Sequence, residues 1–451
     1  MLYWILKPLQ NIFLRVFYKI DYRGIENVPR NQPVVIATNH VNAFVDPCIV
    51  AMLPMQKVRF FARGDVFKGK LAKRILNNLN ISPMYRLQEG YGEIKKNDKT
   101  FEECRTLLAN DKVLLLYPEA ICILERRLRP LKKGLSRIVF QSAEAMDFKK
   151  DILIVPAGVN YTAANKFRSK VYIEFGKPIS LKEYEARYRE DKVRAINEFT
   201  KVLEAKMTEH LVIIKNSAND KLVEVVEEVF LSDFLKRKNV NPKSLEEQYK
   251  GSKELAAIIN YIDEHNSPML ISLKEKALDY NRRVKANELR DHLLHVDHIN
   301  KLNMLRFIMD AFLLWLGLPI YAFGMIVNSI PYLMAKNLAD QKVRHVEFYA
   351  SFYANLGMIF WLLFYPIQLI GAGLLFKSWP FLGVYALLVP LTGYFTLIYA
   401  PILKKIMGRL RLLRMVRKDR KIIETLIGDR NEVMAEIEEM LAYYASSQNS
   451  K

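Results

Sequence analysis

A histidine and an aspartate with five residues between them are the strongest candidates for chemistry in this sequence. A β-rich run ends at His40, and the residues after Asp46 have a helical pattern. α/β folds display reactive groups at the ends of strands. A carboxylate that binds one ring nitrogen of a histidine fixes its tautomer, and the other nitrogen can then take a proton from a hydroxyl. The pair predicts that His40 is a general base and Asp46 its orienting partner, although two such residues at this spacing also occur by chance.

A carboxylate and several cations follow the apolar run Leu114–Tyr117. Glu119 stands just after this predicted strand. Guanidinium groups bind phosphate oxygens bidentately, and a nearby carboxylate can orient the cations or the hydroxyls of an acceptor. The segment predicts a phosphate-binding loop, and the alternative is a solvated basic loop. Its basic residues are Arg126, Arg127, Arg129, Lys132 and Lys133.

Strands and helices alternate in the part of the chain that must position these residues. Helix-compatible stretches such as Lys70–Asn78 and Thr100–Ala109 lie between short β-rich runs. Near-continuous apolar strands separated by helices indicate an α/β domain with a mixed sheet that helices cover on both faces. The β-rich runs are Val34–Thr38, Val58–Ala62, Val113–Tyr117, Ile152–Val155 and Val171–Phe175.

The pattern becomes helical after Leu181. Turn signals occur at Asn239–Pro242 and Asn266–Pro268, between stretches with apolar residues at helical spacing. No dense motif is found there. We interpret residues 216–303 as a solvated helical connector rather than as a second catalytic unit.

Three uncharged runs follow, and each is long enough to cross a bilayer, which needs about 20 apolar residues. They are Ala311–Ala335, Phe348–Phe376 and Ser378–Leu403. Lys377 is the one charge between the second and the third, which predicts a transmembrane hairpin. Pro319 leaves open whether the first run spans the bilayer or is broken into a re-entrant or interfacial pair, because proline removes a helical hydrogen bond.

The first twenty residues mix aromatic rings with cations. This composition suits a helix at the lipid surface, with Trp4 and its neighbours at headgroup depth, or a helix packed on the protein's own core. A cationic segment before the apolar start and a small-residue cleavage site after it are both missing from the sequence. A secretory signal is therefore not expected.

The formal net charge of +20 indicates an anionic partner, which could be nucleic acid, anionic lipid or a phosphorylated substrate. Nine basic residues and one acid lie between Lys404 and Lys421, directly after the last apolar run. Positive charge beside a membrane segment marks the cytoplasmic side and attracts anionic lipid, at about 1 kcal/mol per residue. Because this cluster explains much of the charge and no zinc-finger, RNP-like or KH-like signature occurs, a nucleic-acid partner is not expected.

Cysteine and histidine patterns argue against disulfide, metal and acyl-enzyme chemistry. Cys48, Cys104 and Cys122 show no pairing pattern, which fits a reduced, cytosol-facing domain. His292, His295 and His298 could share a helix face, but a titratable helix beside the membrane is the preferred interpretation, and no metal is expected. A serine or cysteine in a nucleophile elbow is also missing, so a covalent intermediate is not required.

Four blocks in order resemble the glycerolipid acyltransferases, the PlsC-like family that includes glycerol-3-phosphate and lysophosphatidate acyltransferases. The blocks are Asn39–Asp46, Asn80–Arg86, Tyr117–Glu119 and Ile154–Tyr161, and the lead-in Gly24–Pro29 fits as well. The resemblance covers roughly residues 20–215. It implies that Arg86, which closes the second block, binds the acceptor phosphate. Together with the residue types, it assigns substrate binding to Asn42, Arg63, Arg86, Glu119, Arg126, Lys132 and Pro156.

The sequence departs from the common family pattern at three places. The spacing of His40 and Asp46 is one residue longer than is common, and it is similar to a branch with yeast-type glycerol-3-phosphate and dihydroxyacetone-phosphate acyltransferases. Ala120 replaces the glycine expected after Glu119, which leaves the arginine partner of Glu119 open. Asn80 replaces another glycine, and asparagine tolerates the left-handed conformation.

The resemblance implies transfer of a fatty acyl group to the sn-1 hydroxyl of glycerol 3-phosphate in phospholipid biosynthesis. The donor would be a thioester, acyl-CoA or acyl carrier protein, and no cofactor is expected. The alternatives are a 1-acylglycerol-3-phosphate acyltransferase and an inactive membrane lipid-binding homologue. The expected organisation is an interfacial helix (1–20), an α/β acyltransferase domain (21–215), the connector (216–303), membrane segments (304–403) and a basic cytosolic tail helix (404–451). We expect an integral membrane protein with its catalytic domain on the cytoplasmic face of a bacterial inner membrane or of the endoplasmic reticulum.

Overall fold

The computed structural model describes residues 2–85, 97–294 and 304–449. The chain divides into two compact units. The first, called here the sheet unit, comprises Met1–Leu211 and Asn337–Met358, and the second, the helical unit, comprises Val212–Lys336 and Ile359–Lys451.

An eight-stranded mixed sheet organises the sheet unit, which confirms the predicted fold class. The strands in chain order are β1 Lys19–Arg23, β2 Val34–Thr38, β3 Val58–Arg63, β4 Ile81–Met84, β5 Val113–Leu116, β6 Leu153–Tyr161, β7 Lys170–Phe175 and β8 Ile179–Ser180. Their spatial order is β1-β7-β6-β2-β5-β3-β4, with β8 beside β6. β2 pairs in parallel with both β5 and β6, whereas β6 is antiparallel to β7 and β8.

Helices cover both faces of this sheet. They are α1 Leu2–Phe17, α2 Val45–Met52, α3 Lys70–Asn78, α4 Asn97–Ala109, α5 Gly134–Ala145, α6 Glu185–Glu190 and α7 Lys192–Thr208. On β2, Val34 and Ile36 belong to one hydrophobic core, which α1 and α2 share, and Val35 and Ala37 belong to another, which α4, α5 and α7 share. Successive side chains of a strand point to opposite faces, so a continuous apolar run is what a sheet covered on both sides requires.

The first helix has one buried and one exposed apolar face. Leu14 and Phe17 lie in the core of the sheet unit, at 0% and 3% exposure. Trp4 and Ile12 are 59% and 60% exposed. The helix therefore packs on the protein's own core and still presents an apolar surface, so the two interpretations of its sequence are compatible.

Four helices of the helical unit pack into a bundle with its own core. They are α8 Asp220–Arg237, α9 Leu245–His265, α10 Ser267–Ala286 and, after three long helices, α14 Arg420–Asn449. Phe230, Ile259 and Leu273 are 0% exposed, and so are Val433 and Ile437 of the last helix. The interpretation of residues 216–303 as a solvated connector is therefore wrong. Its apolar stripe is buried by a helix more than a hundred residues away in sequence, which local pattern does not reveal.

A buried polar network fixes the last helix in this bundle. Arg430 is 6% exposed, and its Nε donates a hydrogen bond to Asp291 Oδ1 at 2.9 Å. The hydroxyl of Tyr280 donates to the same oxygen at 2.6 Å. The guanidinium also donates to the carbonyl oxygen of Val229 at 3.3 Å. A buried charge needs such partners, so the network specifies how α14 packs against α8 and α10.

Three long helices contain the uncharged runs: α11 Met304–Lys342, α12 Val346–Phe376 and α13 Trp379–Lys418. Each has a stretch long and apolar enough to cross a membrane. α11 is continuous through Pro319 and Pro331, so the break considered at Pro319 does not occur. Long apolar helices tolerate proline where neighbouring groups satisfy the freed backbone. The basic residues up to Lys418 continue the last of these helices, so the helix does not end at residue 403 as the expected boundary implied.

Candidate active site

The ends of three adjacent strands bring the candidate residues to one edge of the sheet. β5, β2 and β6 are neighbours and run parallel. His40 follows β2, Glu119 follows β5, and Tyr161 is the last residue of β6. The carboxyl ends of parallel strands open at the same edge, which is where α/β folds bind ligands.

The imidazole of His40 contacts the carboxylate of Asp46. Nδ1 lies 2.9 Å from Oδ2. The side chain of Asp46 is fully buried, whereas that of His40 is 15% exposed. Within the described part of the chain, no group hydrogen-bonds Nε2 of His40. A carboxylate at Nδ1 selects the tautomer with the proton there, so Nε2 is left as the proton acceptor.

Asp46 accepts hydrogen bonds from four donors. Besides His40, the backbone N–H groups of Val41 and Asn42 donate to Oδ2, both at 2.8 Å. The hydroxyl of Tyr161 donates to Oδ1 at 2.6 Å. Asp46 also lies in the first turn of α2, where the helix dipole favours negative charge. These contacts hold the carboxylate in one orientation against the imidazole.

The ring of His40 is also fixed from its face. It stacks on Tyr117, with 4.0 Å between the ring centroids and 18° between the planes. The carbonyl oxygen of His40 accepts the N–H of Ile123 at 3.1 Å. The imidazole is therefore positioned by its edge, its face and its backbone, which is the preorganisation that a general base requires.

Glu119 joins the two motif loops through backbone contacts. Its Oε1 accepts the N–H of His40 and its Oε2 accepts the N–H of Arg129, each at 3.0 Å. The guanidinium groups of Arg127 and Arg129 pair with Glu125, at 3.0 and 2.7 Å. The arginine partner that the sequence left open is thus Arg129, through its main chain rather than its side chain.

Substitution of Glu119 by glutamine is expected to lower the free energy of unfolding by about 1–3 kcal/mol, because an amide can accept only one of the two buried N–H groups. Burial raises the pKa of Glu119. The Glu119 carboxyl group therefore stays protonated to a higher pH in the native state than in the unfolded chain. The stability that it contributes falls as the pH rises from the pKa of the unfolded chain to that of the native state. Denaturation of both proteins at acidic and neutral pH should show a deficit that narrows towards neutral pH. Equal stability at every pH would contradict the clamp.

The residue after Glu119 has the backbone conformation that favours glycine. Ala120 has φ of 57°, and Asn80, at the other position where the family pattern has glycine, has φ of 67°. A Cβ in the left-handed region costs about 1–2 kcal/mol, and less for asparagine. Both positions therefore have the backbone conformation that glycine adopts most easily, although neither residue is glycine.

Replacing Ala120 by glycine should raise the free energy of unfolding by roughly 1 kcal/mol, because the relief of strain exceeds the extra entropy of the unfolded chain. Thermal or denaturant unfolding in detergent measures the change. Ala205→Gly inside helix α7 is the matched control, because Ala205 is exposed and helical, and there the same replacement should be destabilising by about 0.5–1 kcal/mol. Loss of stability at both positions would show that Ala120 is not strained.

The remaining predicted substrate-binding residues lie in different surroundings. Asn42 is buried, and its side chain is hydrogen-bonded to protein groups. Arg63, at the end of β3, is half-exposed and pairs with Asp65 at 2.6 Å. Arg126 donates a hydrogen bond at 3.3 Å to the carbonyl oxygen of Thr162, the residue just beyond β6.

Two further residues of that prediction have clear positions, and one has none. Lys132 is exposed, and its backbone N–H donates to the carbonyl oxygen of Pro118 at 2.8 Å, beside Glu119. Pro156 is buried in β6, opposite Ala37 of β2. Arg86 lies outside the described residues.

Three residues of the site were not predicted from the sequence. Tyr161 was recognised only as the end of the fourth block, and its position at the carboxyl end of a strand was the available signal. Tyr18 accepts a hydrogen bond from Asn42 at 2.9 Å. Ser351 belongs to an apolar helix and has no local signal at all.

Comparisons with known proteins show which proteins this part of the chain is similar to. The family model described as Acyltransferase matches residues 19–160. Glycerol-3-phosphate O-acyltransferase 2 of Saccharomyces cerevisiae is 24% identical over 266 residues, 58% of this chain and 33% of the yeast protein. Glycerol-3-phosphate O-acyltransferase 1 of the same yeast is 26% identical over 247 residues, 52% of this chain and 31% of the relative.

Two further proteins match a smaller share of this chain. The chloroplastic 1-acyl-sn-glycerol-3-phosphate acyltransferase BAT2 of Brassica napus is 25% identical over 134 residues, 29% of this chain and 37% of that protein. The crystal structure of the 1-acyl-sn-glycerophosphate (LPA) acyltransferase PlsC from Thermotoga maritima is 17% identical, with a TM-score of 0.30 over 43% of this chain and 79% of the other.

This chain spans about a third of the length of the yeast relatives that it matches. The matched segment contains the strands and loops that hold the candidate base and its carboxylate. Residues 19–160 therefore match an Acyltransferase domain, and His40, Asp46 and Glu119 lie within the matched residues.

Proposed function

We propose that this protein is a membrane-bound acyltransferase that transfers a fatty acyl group from a thioester donor to the sn-1 hydroxyl of glycerol 3-phosphate. The observation that carries the proposal is the 2.9 Å contact between His40 Nδ1 and Asp46, with Nε2 unoccupied by any described group. The carboxylate holds the imidazole in the tautomer with its proton on Nδ1 and stabilises the imidazolium that forms during the reaction.

In the proposed reaction, His40 takes up one proton and later returns it. Nε2 takes the hydroxyl proton as the hydroxyl oxygen attacks the carbonyl carbon of the thioester. The carbon–sulfur bond then breaks, the thiolate leaves, and the imidazolium returns the proton to it. Burial raises the pKa of the Cys48 thiol to about 12, which makes it a poor nucleophile and favours direct transfer over an acyl-enzyme.

The acceptor is proposed to be a glycerol phosphate because cations lie close in sequence to the motifs. Arg86 would bind the phosphate, and Arg63, Arg126 and Lys132 are candidates to assist it. The two yeast relatives, which match more than half of this chain, are named glycerol-3-phosphate acyltransferases. The longer spacing between His40 and Asp46 also favours this acceptor over lysophosphatidate.

The membrane placement follows from the long apolar helices and the charges beside them. α11, α12 and α13 each contain a stretch able to cross a bilayer. The basic residues from Lys404 onwards follow the last stretch, and positive charge of this kind stays on the cytoplasmic side. We place the catalytic domain on that side, where acyl-CoA or acyl carrier protein is available and where the exposed apolar face of α1 can contact lipid.

A purified-protein assay with two donors and two acceptors tests the proposal. The donors are acyl-CoA and acyl carrier protein, and the acceptors are glycerol 3-phosphate and lysophosphatidate. Faster esterification of glycerol 3-phosphate at sn-1 is expected. A preference for lysophosphatidate would support the alternative acceptor suggested by the Brassica napus relative, and binding without turnover would indicate an inactive lipid-binding homologue.

Replacing Arg86 by alanine should raise the Michaelis constant for glycerol 3-phosphate at least tenfold, because a charge-assisted contact with phosphate is worth about 1.5–3 kcal/mol. The Michaelis constant for the acyl donor should change little. Initial rates with each substrate varied in turn measure both constants. An effect confined to the donor would contradict the phosphate role.

A further inference from the structure

We infer that Ser351, in the first turns of the apolar helix α12, is a positioning residue for the catalytic loop between His40 and Asp46. The inference rests on the proposed function, because it assigns a role in that reaction. It also means that the start of a candidate membrane helix is a working part of the acyltransferase site, although it lies about two hundred residues beyond the matched domain.

The hydroxyl of Ser351 makes three contacts with the loop, and the longest, at 3.5 Å, is to the backbone carbonyl oxygen of Asn42. Its Oγ accepts the N–H of Val45, the first residue of α2, at 3.1 Å. It also lies 3.0 Å from the side-chain oxygen of Asn42, to which it donates. Ser351 is 1% exposed, so water cannot replace any of these contacts without a rearrangement.

These contacts continue to the carboxylate of Asp46. The backbone N–H of Asn42 donates to Asp46 Oδ2, the oxygen that also faces His40. The side-chain nitrogen of Asn42 donates to the hydroxyl of Tyr18 at 2.9 Å. Ser351 and Tyr18 thus hold Asn42 from two sides, and Asn42 and Val45 delimit the turn that brings Asp46 to the imidazole.

The residues next to Ser351 pack closely against the core of the sheet unit. Ala350 and Ala354 of the same helix are buried in the core of the sheet unit, at 0% and 9% exposure. Small residues allow two backbones to approach closely. Tyr353 packs edge-on against Phe17 of α1, with 5.3 Å between the ring centroids. This face of the helix is therefore fixed against the element that carries Tyr18.

Two threonine hydroxyls of helix α13 behave differently. Those of Thr392 and Thr396 bond to carbonyl oxygens three or four residues earlier in their own helix. That is the usual way in which such residues satisfy a hydroxyl in an apolar segment. The contacts of Ser351 instead join groups about three hundred residues apart in sequence, which indicates that this hydroxyl serves the loop rather than its own helix.

Ser351→Ala in the full-length protein tests the inference. We expect kcat per folded molecule to fall about 10- to 100-fold, because a small displacement of a catalytic group has effects of this size. The Michaelis constants for both substrates should stay within about twofold, since no substrate contact is removed. Ser351→Thr keeps the hydroxyl and should retain more activity, whereas Ser351→Cys keeps the size without a good donor and should resemble alanine. Ser142→Ala is the matched control, because among the described residues that buried hydroxyl bonds only to Ile138 of its own helix.

A spectroscopic readout separates this inference from the proposed function. The Nδ1 proton of His40 can be observed in 15N-histidine spectra and assigned by its loss in His40→Ala. Ser351→Ala should shift this resonance, and Ser142→Ala should not. An inactive wild type with a shifted resonance would refute the proposed function but not the positioning role. An unshifted resonance, or unchanged turnover per folded molecule in Ser351→Ala, would overturn the inference.

Discussion

Replacement of His40 by alanine is expected to lower kcat for acyl transfer by about 10²–10⁴-fold, the range that general-base catalysis contributes. Its imidazole has one nitrogen against the buried carboxylate of Asp46 and the other without a hydrogen-bond partner among the described residues. Its removal leaves only positioning of the two substrates to accelerate the reaction. Initial rates with saturating donor and acceptor measure the effect, and the folded fraction is checked by thermal unfolding.

His210 provides the matched control. Its side chain is also 15% exposed, and its Nδ1 also lies near a carboxylate, 3.2 Å from Glu174. It follows α7 in the sheet unit, and its main-chain carbonyl oxygen accepts a hydrogen bond from Asn160 of the fourth block, a contact that alanine would keep. His210→Ala should remove a similar volume and keep kcat within a few fold. Comparable turnover in His40→Ala and the wild type would rule out the base assignment.

The strands and helices that local pattern specifies were predictable. Val34–Thr38 and the neighbouring central strands are continuous apolar runs, and the structure has strands at these places. Lys19–Arg23, Ile81–Met84 and Ile179–Ser180 were not predicted as strands. They are short and lie at or near the sheet edges, and two of them alternate polar with apolar residues or contain proline, so tertiary pairing decides their conformation.

In the candidate site, the contact between residues close in sequence could be predicted, and the contacts between distant residues could not. His40 and Asp46 form a contact that their separation in one loop already suggested. The hydroxyl of Tyr161 reaches Asp46 from 115 residues away, and that of Ser351 reaches the loop from 306 residues away. Such partners depend on which strand ends and helix faces meet, and a single sequence contains no signal for that.

Glu119 shows how a general rule can select the wrong partner. A carboxylate beside several arginines suggests a contact with a guanidinium group. In the structure, the carboxylate is 6% exposed and accepts two main-chain N–H groups instead. Buried N–H groups must be satisfied, whereas guanidinium groups near the surface can pair elsewhere or meet solvent. Burial therefore explains why the carboxylate of Glu119 accepts main-chain N–H groups rather than a guanidinium group.

Substitution of Asp46 by asparagine is expected to lower kcat by roughly 10³-fold while the protein remains folded. Oδ2 accepts from His40 and from two backbone N–H groups, so the amide oxygen must take that position. The amide nitrogen then lies at the position of Oδ1, where the hydroxyl of Tyr161 can accept a hydrogen bond instead of donating one. The contacts survive, and the negative charge that stabilises the imidazolium is lost.

This substitution separates charge from structure, which alanine would not do. Asp46→Ala would leave the N–H groups of Val41 and Asn42 and the hydroxyl of Tyr161 without their acceptor, so lost activity could reflect an unfolded loop. In Asp46→Asn, the melting temperature should change little and the Michaelis constants should be retained, while kcat falls. Asp111→Asn is the control, because Asp111 forms an exposed pair with Lys150 and has a left-handed φ of 57° that asparagine tolerates. If Asp46→Asn kept full turnover, the carboxylate would act only as a hydrogen-bond acceptor for the loop, and His40 would not depend on its charge.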